Sequence, residues 1–118
     1  MGVRFPDREA RRDRLERELR VVLERIVDAQ TERVILFGSA ARGDVASKSD
    51  LDLLVIRRDE RRPSERVADL YARARPSLAI DLLVYTPEEI EALRETSSFL
   101  RQVLKEGRIV YDRSRAVA

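Results

Sequence analysis

Apolar residues recur at helical spacing in some segments of the chain and form short runs in others. Near the N-terminus, Leu15, Leu19 and Ile26 follow helical spacing, which predicts one amphipathic helix over about residues 8–29 with Asp7 as its N-cap. The apolar stripe of this helix is expected to pack in the core, with a partner-binding surface as the alternative. Short apolar runs then predict strands at Arg33–Phe37, Leu51–Ile56, Leu78–Tyr85 and Arg108–Asp112.

Helical segments separate the predicted strands. An apolar stripe predicts a helix over Glu65–Arg75. After the third strand, Thr86 is a candidate N-cap, Pro87 fits the first helical position and Glu89 can close a capping box. Helical patterning runs through Ile90 and Leu93, and again from Phe99 to Leu104, until Gly107 stops it. This alternation predicts one α/β (α+β) domain spanning the chain, with a small mixed sheet of three to four strands flanked by helices.

Composition excludes several kinds of chemistry. The 118 residues contain no cysteine and no histidine, which excludes disulfides, thiolate zinc sites and imidazole-based triads. The 24 basic and 22 acidic side chains leave a net charge of only +2 and form no basic arm, which argues against general nucleic-acid binding. No apolar run approaches the roughly 18 residues of a membrane span, and no signal peptide is evident. A cytoplasmic protein without a membrane segment is therefore expected.

Two aspartates stand at the head of the second predicted strand, in the stretch Asp50-Leu51-Asp52. Side chains two apart on a strand share a face, so both carboxylates are expected to point to one spot. Two such charges repel by about 2.5 kcal/mol at an effective dielectric near 20, and a hard divalent cation relieves that cost best. The alternative is a solvated edge or turn, the commonest setting of a lone Asp-x-Asp pair.

A third aspartate, Asp81, interrupts the apolar run of the third strand. If this strand pairs beside the second one, three carboxylates converge. Oxygen ligands on a rigid sheet suit Mg²⁺, or Mn²⁺ in its place, and three aspartates suffice for two ions in phosphoryl chemistry. The sequence therefore predicts a two-metal site of Asp50, Asp52 and Asp81.

A Gly38-Ser39 pair follows the first strand, twelve residues before Asp50. Glycine permits close approach of the backbone, and N–H groups at a helix start can grip phosphate oxygens together with the serine hydroxyl. Taken alone, the pair is an ordinary turn. The spacing to Asp50 favours the first interpretation, since the returning second strand brings the phosphate and metal sites together.

The whole succession resembles the minimal nucleotidyltransferases of the DNA polymerase beta superfamily. The resemblance rests on a strand, Gly38-Ser39, Ala41-Arg42-Gly43, a polar loop, Ser49-Asp50-Leu51-Asp52 and a further strand, and it extends over a catalytic core of about residues 33–112. It implies a polymerase-beta-like fold. It also implies site roles, with catalysis and metal binding by Asp50, Asp52 and Asp81, and nucleotide binding by Gly38, Ser39 and Arg42.

The reaction implied by the resemblance is Mg²⁺-dependent transfer of a nucleoside monophosphate, AMP from ATP, to a hydroxyl acceptor. Small members of the family are similar to antitoxins whose partner is a helical HEPN-type toxin, and there the acceptor is a tyrosine of the toxin. The alternative is a binding module that neutralises such a partner by occlusion, with little or no catalysis. Base preference, the acceptor and the oligomeric state are not encoded in any motif of the chain.

Overall fold

The computed structural model describes residues 6–42 and 49–116. Within these ranges, helices alternate with strands as the apolar pattern predicts. The elements in chain order are α1 Pro6–Ile26, β1 Thr31–Phe37, α2 Gly38–Arg42, β2 Leu51–Arg57, α3 Pro63–Ala74, β3 Ile80–Tyr85, α4 Pro87–Leu93, α5 Ser98–Glu106, β4 Arg108–Asp112 and α6 Arg113–Ala116. None of the helices in the described ranges is both long and apolar enough to cross a membrane.

The strands form one mixed sheet in the order β3-β2-β1-β4. β1 runs antiparallel to β2 and to β4. β2 and β3 are parallel, with the crossover helix α3 between them in the chain. The predicted fold class is confirmed, and so is the pairing of the second and third strands on which the metal-site hypothesis depends.

Helices pack against both faces of the sheet. On one face, Val22 and Ile26 of α1 and Leu70 of α3 share a core cluster with alternate strand residues. On the opposite face, Ile90 of α4 and Val103 of α5 pack against the intervening strand residues. The apolar stripe of the N-terminal helix is therefore core, as expected. β2 is buried along its whole length, so any charged side chain on it needs a partner or a solvent path.

The predicted bounds of the first two elements were wrong by a few residues. α1 begins at Pro6, so Asp7 lies within the helix instead of capping it. The helix ends at Ile26 because a turn follows, in which the Gln30 amide donates to the Asp28 carboxylate at 2.9 Å and the Asp28 amide donates to the Thr31 hydroxyl at 3.0 Å. This turn lets β1 start at Thr31, two residues earlier than predicted.

The predicted start of α4 is confirmed in detail. The Thr86 hydroxyl accepts from the Glu89 amide at 3.1 Å, and the Glu89 carboxylate accepts from the Thr86 amide at 2.8 Å, which makes a capping box. Glu89 also accepts from the buried guanidinium of Arg66 on α3 at 2.6 Å. The two predicted stretches of helical patterning are separate helices, and Ser97 caps the second by accepting from the Leu100 amide at 3.1 Å.

A second buried arginine lies at the C-terminal end of β2. Arg57 is 3% exposed, and its guanidinium donates to Asp28 at 2.7 Å and to Asp59. Arg73 of α3 donates to the same Asp28 carboxylate at 2.8 Å. Burying an arginine is tolerated only when carboxylates compensate its charge, so this cluster ties the α1–β1 turn to β2 and α3.

Candidate active site

Asp52 and Asp81 lie side by side on one face of the sheet. The two residues are directly paired in the parallel register of β2 and β3. Asp52 lies two residues from Leu54, and Asp81 lies two residues from Leu83, so each aspartate shares a face of the sheet with its leucine. Both leucines belong to the cluster that packs against α4 and α5. Both carboxylates therefore leave the sheet on that face, from strands about 4.8 Å apart. The structure brings these two predicted site residues together.

The Asp52 carboxylate is held in a buried setting. Asp52 is 6% exposed, and its Oδ1 accepts from the Ser49 hydroxyl at 2.5 Å. A buried carboxylate without hydrogen bonds costs several kcal/mol, and charge-assisted bonds of this length are among the stronger ones in proteins. Ser49 therefore fixes the orientation of the carboxylate that the sequence places at the centre of the site.

Gly38 brings the end of β1 against the same carboxylate. Its φ is +73°, in the left-handed region that favours glycine. A Cβ at this position would lie 2.2 Å from Asp52 Oδ2, far inside van der Waals contact. Glycine at position 38 is thus required twice, by the backbone conformation and by the space that Asp52 occupies.

Asp50 has a different environment from Asp52. It lies in a bend before β2, which begins at Leu51, so strand alternation does not extend to it. Its Oδ1 accepts from Arg11 of α1 at 2.6 Å, and its Oδ2 accepts from the Ala79 amide at 2.9 Å. Partial burial raises the pKa of Asp50, but these two hydrogen bonds and the charges of Arg11 and Arg14 outweigh it, so the pKa lies below its usual value.

Arg11 thus pairs with the Asp50 carboxylate, which the sequence predicts to be a metal ligand. Within residues 6–42 and 49–116, no three acidic side chains are grouped closely enough to hold one ion. The donor set still fits a hard cation, because Asp52 and Asp81 supply adjacent carboxylates, and Mg²⁺ is commonly bound through one or two carboxylates plus substrate phosphates.

The predicted nucleotide-binding residues are placed in part. Gly38 begins α2 beside Asp52, and the backbone of Ser39 and Arg42 belongs to the same short helix. The side chains of Ser39 and Arg42 lie outside the described part of the structure, as do residues 43–48 of the connecting loop. Their roles remain predictions.

Two contributors, Ser49 and Arg11, were given no role in the site by the sequence. Ser49 stands three residues before Asp52, a spacing that could have indicated its hydrogen bond. Arg11 is one of several arginines on the polar side of α1, and no sequence signal distinguishes it from its neighbours. Only the packing of α1 across the sheet brings Arg11 to Asp50.

Comparison with known proteins agrees with this geometry. Residues 22–116 match the family described as Polymerase beta, Nucleotidyltransferase. A protein of Methanocaldococcus jannaschii named "Putative protein adenylyltransferase" is 35% identical over 82 residues, which are 68% of this chain and 78% of the relative.

Solved structures share the fold. A "putative nucleotidyltransferase" from Sulfolobus solfataricus superposes with a TM-score of 0.69 at 20% identity, covering 100% of this chain and 97% of the other. A "toxin-antitoxin with AMP-PNP" gives a TM-score of 0.51 at 21% identity, covering 85% and 75% of the two chains. The predicted resemblance is confirmed by the family match, and the fold by these superpositions. The chain belongs to the polymerase beta nucleotidyltransferase family.

Proposed function

We propose that this nucleotidyltransferase transfers AMP from ATP to a hydroxyl group of a partner protein and releases pyrophosphate. The acceptor in this proposal is a tyrosine of a helical HEPN-type toxin, which makes the chain an antitoxin. The observation that carries the proposal is the pair of carboxylates, Asp52 and Asp81, beside Gly38. The name of the M. jannaschii relative supports a protein acceptor, and the fold shared with a toxin–antitoxin complex supports the class of partner.

The proposed cofactor is Mg²⁺, as two ions, with Mn²⁺ as a substitute. Asp52 and Asp81 would hold them, with Asp50 after release of Arg11. When bound, such ions lower the pKa of a hydroxyl group and offset the charge of the phosphates. The chain contains no histidine, so its own general bases for an acceptor hydroxyl are carboxylates.

The two paired aspartates are suited to different parts of the reaction. Asp52 is buried and oriented by Ser49, so it is positioned for the nucleotide phosphates that Gly38, Ser39 and Arg42 would bind. Asp81 is exposed and lies on β3 at the end of the strand order. It is the carboxylate that an acceptor on another protein can reach, and we assign to it the activation of the acceptor hydroxyl.

The proposal is tested by incubating the chain with [α-³²P]ATP, Mg²⁺ and the helical protein encoded next to it. Label is expected on the partner. Asp52→Asn and Asp81→Asn should each reduce the labelling rate by about a hundredfold or more, the scale of losing a transition-state charge partner. Glu88→Gln removes an exposed carboxylate of α4 and should leave the rate unchanged. Equal labelling by all four proteins would overturn the proposal.

The contact between Arg11 and Asp50 favours a second candidate function. An ion pair at 2.6 Å already compensates this carboxylate without a metal, as expected of a module that binds its partner and neutralises it by occlusion. Co-expression with the toxin separates the two candidates. Rescue of growth by an Asp52→Asn/Asp81→Asn double variant at wild-type level would support occlusion, whereas loss of rescue supports transfer.

A further inference from the structure

A narrow apolar cavity lies next to the carboxylate pair, on the same face of the sheet. It has a volume of about 200 Å³ and is lined mainly by Phe37, Gly38, Ala41, Phe99, Val103 and Gly107. We call it the α5 slot. Phe37 is paired directly with Asp52 across β1 and β2 and packs against the α4/α5 cluster. Directly paired residues have Cβ atoms about 5 Å apart, so the slot begins one side chain away from Asp52.

The slot contains an aromatic ring that is open to a ligand. Phe99 of α5 is 54% exposed, so about half of this large apolar side chain is accessible to solvent. Its ring meets that of Phe37 edge to face, with centroids 5.8 Å apart and an interplanar angle of 81°. One contact therefore fixes the ring while much of its surface remains available for a planar partner.

Polar groups stand at the rim of the α5 slot. Gln102 and Glu106 both line it, and the Gln102 amide donates to the Glu106 carboxylate at 3.2 Å. This bond orients the Gln102 amide and leaves its carbonyl and second N–H free to pair with a ligand edge. Such a donor and acceptor side by side match adenine, which presents an amine next to a ring nitrogen. Guanine presents a carbonyl where adenine has its amine.

We infer that the α5 slot binds the nucleobase of the substrate nucleotide and that Gln102 selects adenine, an inference that rests on the proposed function. A nucleotide with its phosphates at Gly38 and Asp52 places its base in the slot on the β1 side. The β3 side, with the exposed Asp81, stays open for the acceptor. Phe99 supplies the stacking surface, Gln102 reads the base edge and Glu106 positions Gln102.

The inference is tested by calorimetric titration of the full chain with ATP, GTP and inorganic tripolyphosphate, each in excess Mg²⁺. Tripolyphosphate probes the phosphate and metal site without a base. ATP is expected to bind about tenfold more tightly than tripolyphosphate, the scale of one stacked base. ATP should also bind about tenfold more tightly than GTP, the scale of one bidentate base contact.

Two substitutions test the stacking surface and the base-reading amide of the α5 slot separately. Phe99→Ala should lower ATP affinity about tenfold and leave tripolyphosphate binding unchanged. Gln102→Ala, at an exposed helical position, should make ATP and GTP bind alike without loss of folding. Tyr71→Ala removes another exposed aromatic residue, on α3, and should change none of these affinities.

The outcomes distinguish the inference from the proposed function. Equal binding of ATP and tripolyphosphate by the unaltered chain would overturn the slot and leave the phosphate site intact. Wild-type ATP affinity and selectivity in both slot variants would overturn it as well. Failure of tripolyphosphate and both nucleotides to bind in Mg²⁺ would overturn the slot and the proposed function together.

Discussion

Substituting alanine for Gly38 tests the geometry of the site with one methyl group. The added Cβ would lie 2.2 Å from Asp52 Oδ2 and 3.1 Å from its Cγ. Both atoms belong to the end of a short side chain, so the Asp52 carboxylate can turn away while the backbone stays in place. We therefore expect Gly38→Ala to fold, with the central carboxylate of the site displaced.

The cost in stability has two parts. Placing an alanine at a φ of +73° costs about 1–2 kcal/mol. Turning Asp52 breaks the 2.5 Å hydrogen bond from Ser49, which costs about 1.5–3 kcal/mol for a charged acceptor. The free energy of unfolding should fall by about 2.5–5 kcal/mol, and the melting temperature by about 10–20 °C.

Urea unfolding and Mn²⁺ binding, followed by electron paramagnetic resonance, measure the two consequences separately. Gly107→Ala is the matched control, since its Cβ would lie 2.3 Å from Ile35 Cγ2 and 2.6 Å from the Val103 carbonyl, at an ordinary φ of −69°. Both variants should lose stability. Only Gly38→Ala should lose Mn²⁺ affinity, by about tenfold or more. Wild-type stability and Mn²⁺ affinity in Gly38→Ala would refute the reasoning.

Three further substitutions test separate contacts. Glu89→Gln keeps the capping box but removes the charge facing buried Arg66, and should lower the free energy of unfolding by about 1–3 kcal/mol, whereas Glu88→Gln should change it by less than about 0.5 kcal/mol. Burial raises the pKa of Asp28, but hydrogen bonds from two arginines lower it by more than burial raises it. The folded-state pKa of Asp28 therefore lies below the usual value. Its stabilisation is complete above about pH 5 and is lost as the pH falls through the folded-state pKa, and Asp28→Asn should flatten this part of the acid dependence of unfolding. Arg11→Gln frees the Asp50 carboxylate and should raise Mn²⁺ affinity several-fold; unchanged affinity would show that the ion pair does not compete with metal.

The fold was predictable where helical spacing or an uninterrupted apolar run dominates the sequence. α1 has a helical period and β2 is a short apolar run, and the aspartates at positions 52 and 81 stood out because they interrupt apolar strands. The site was predicted less completely than the fold, because Asp50 lies in a bend before β2 and its position depends on tertiary contacts. Its partners, Arg11 and the Ala79 amide, are 39 and 29 residues away in the chain, and no local pattern encodes contacts of that separation.

The sheet itself separates the two sides of the proposed reaction. Asp52 belongs to an inner strand and is confined by Ser49 and Gly38, so the carboxylate that we propose for the nucleotide side is buried and held in one orientation. Asp81 belongs to β3, which within the described residues pairs only with β2, and its carboxylate is exposed. A side chain carried by a folded partner is too bulky to enter a closed pocket, but it can approach an exposed carboxylate from the edge of a sheet. The position of Asp81 on β3 is therefore compatible with the proposed protein acceptor.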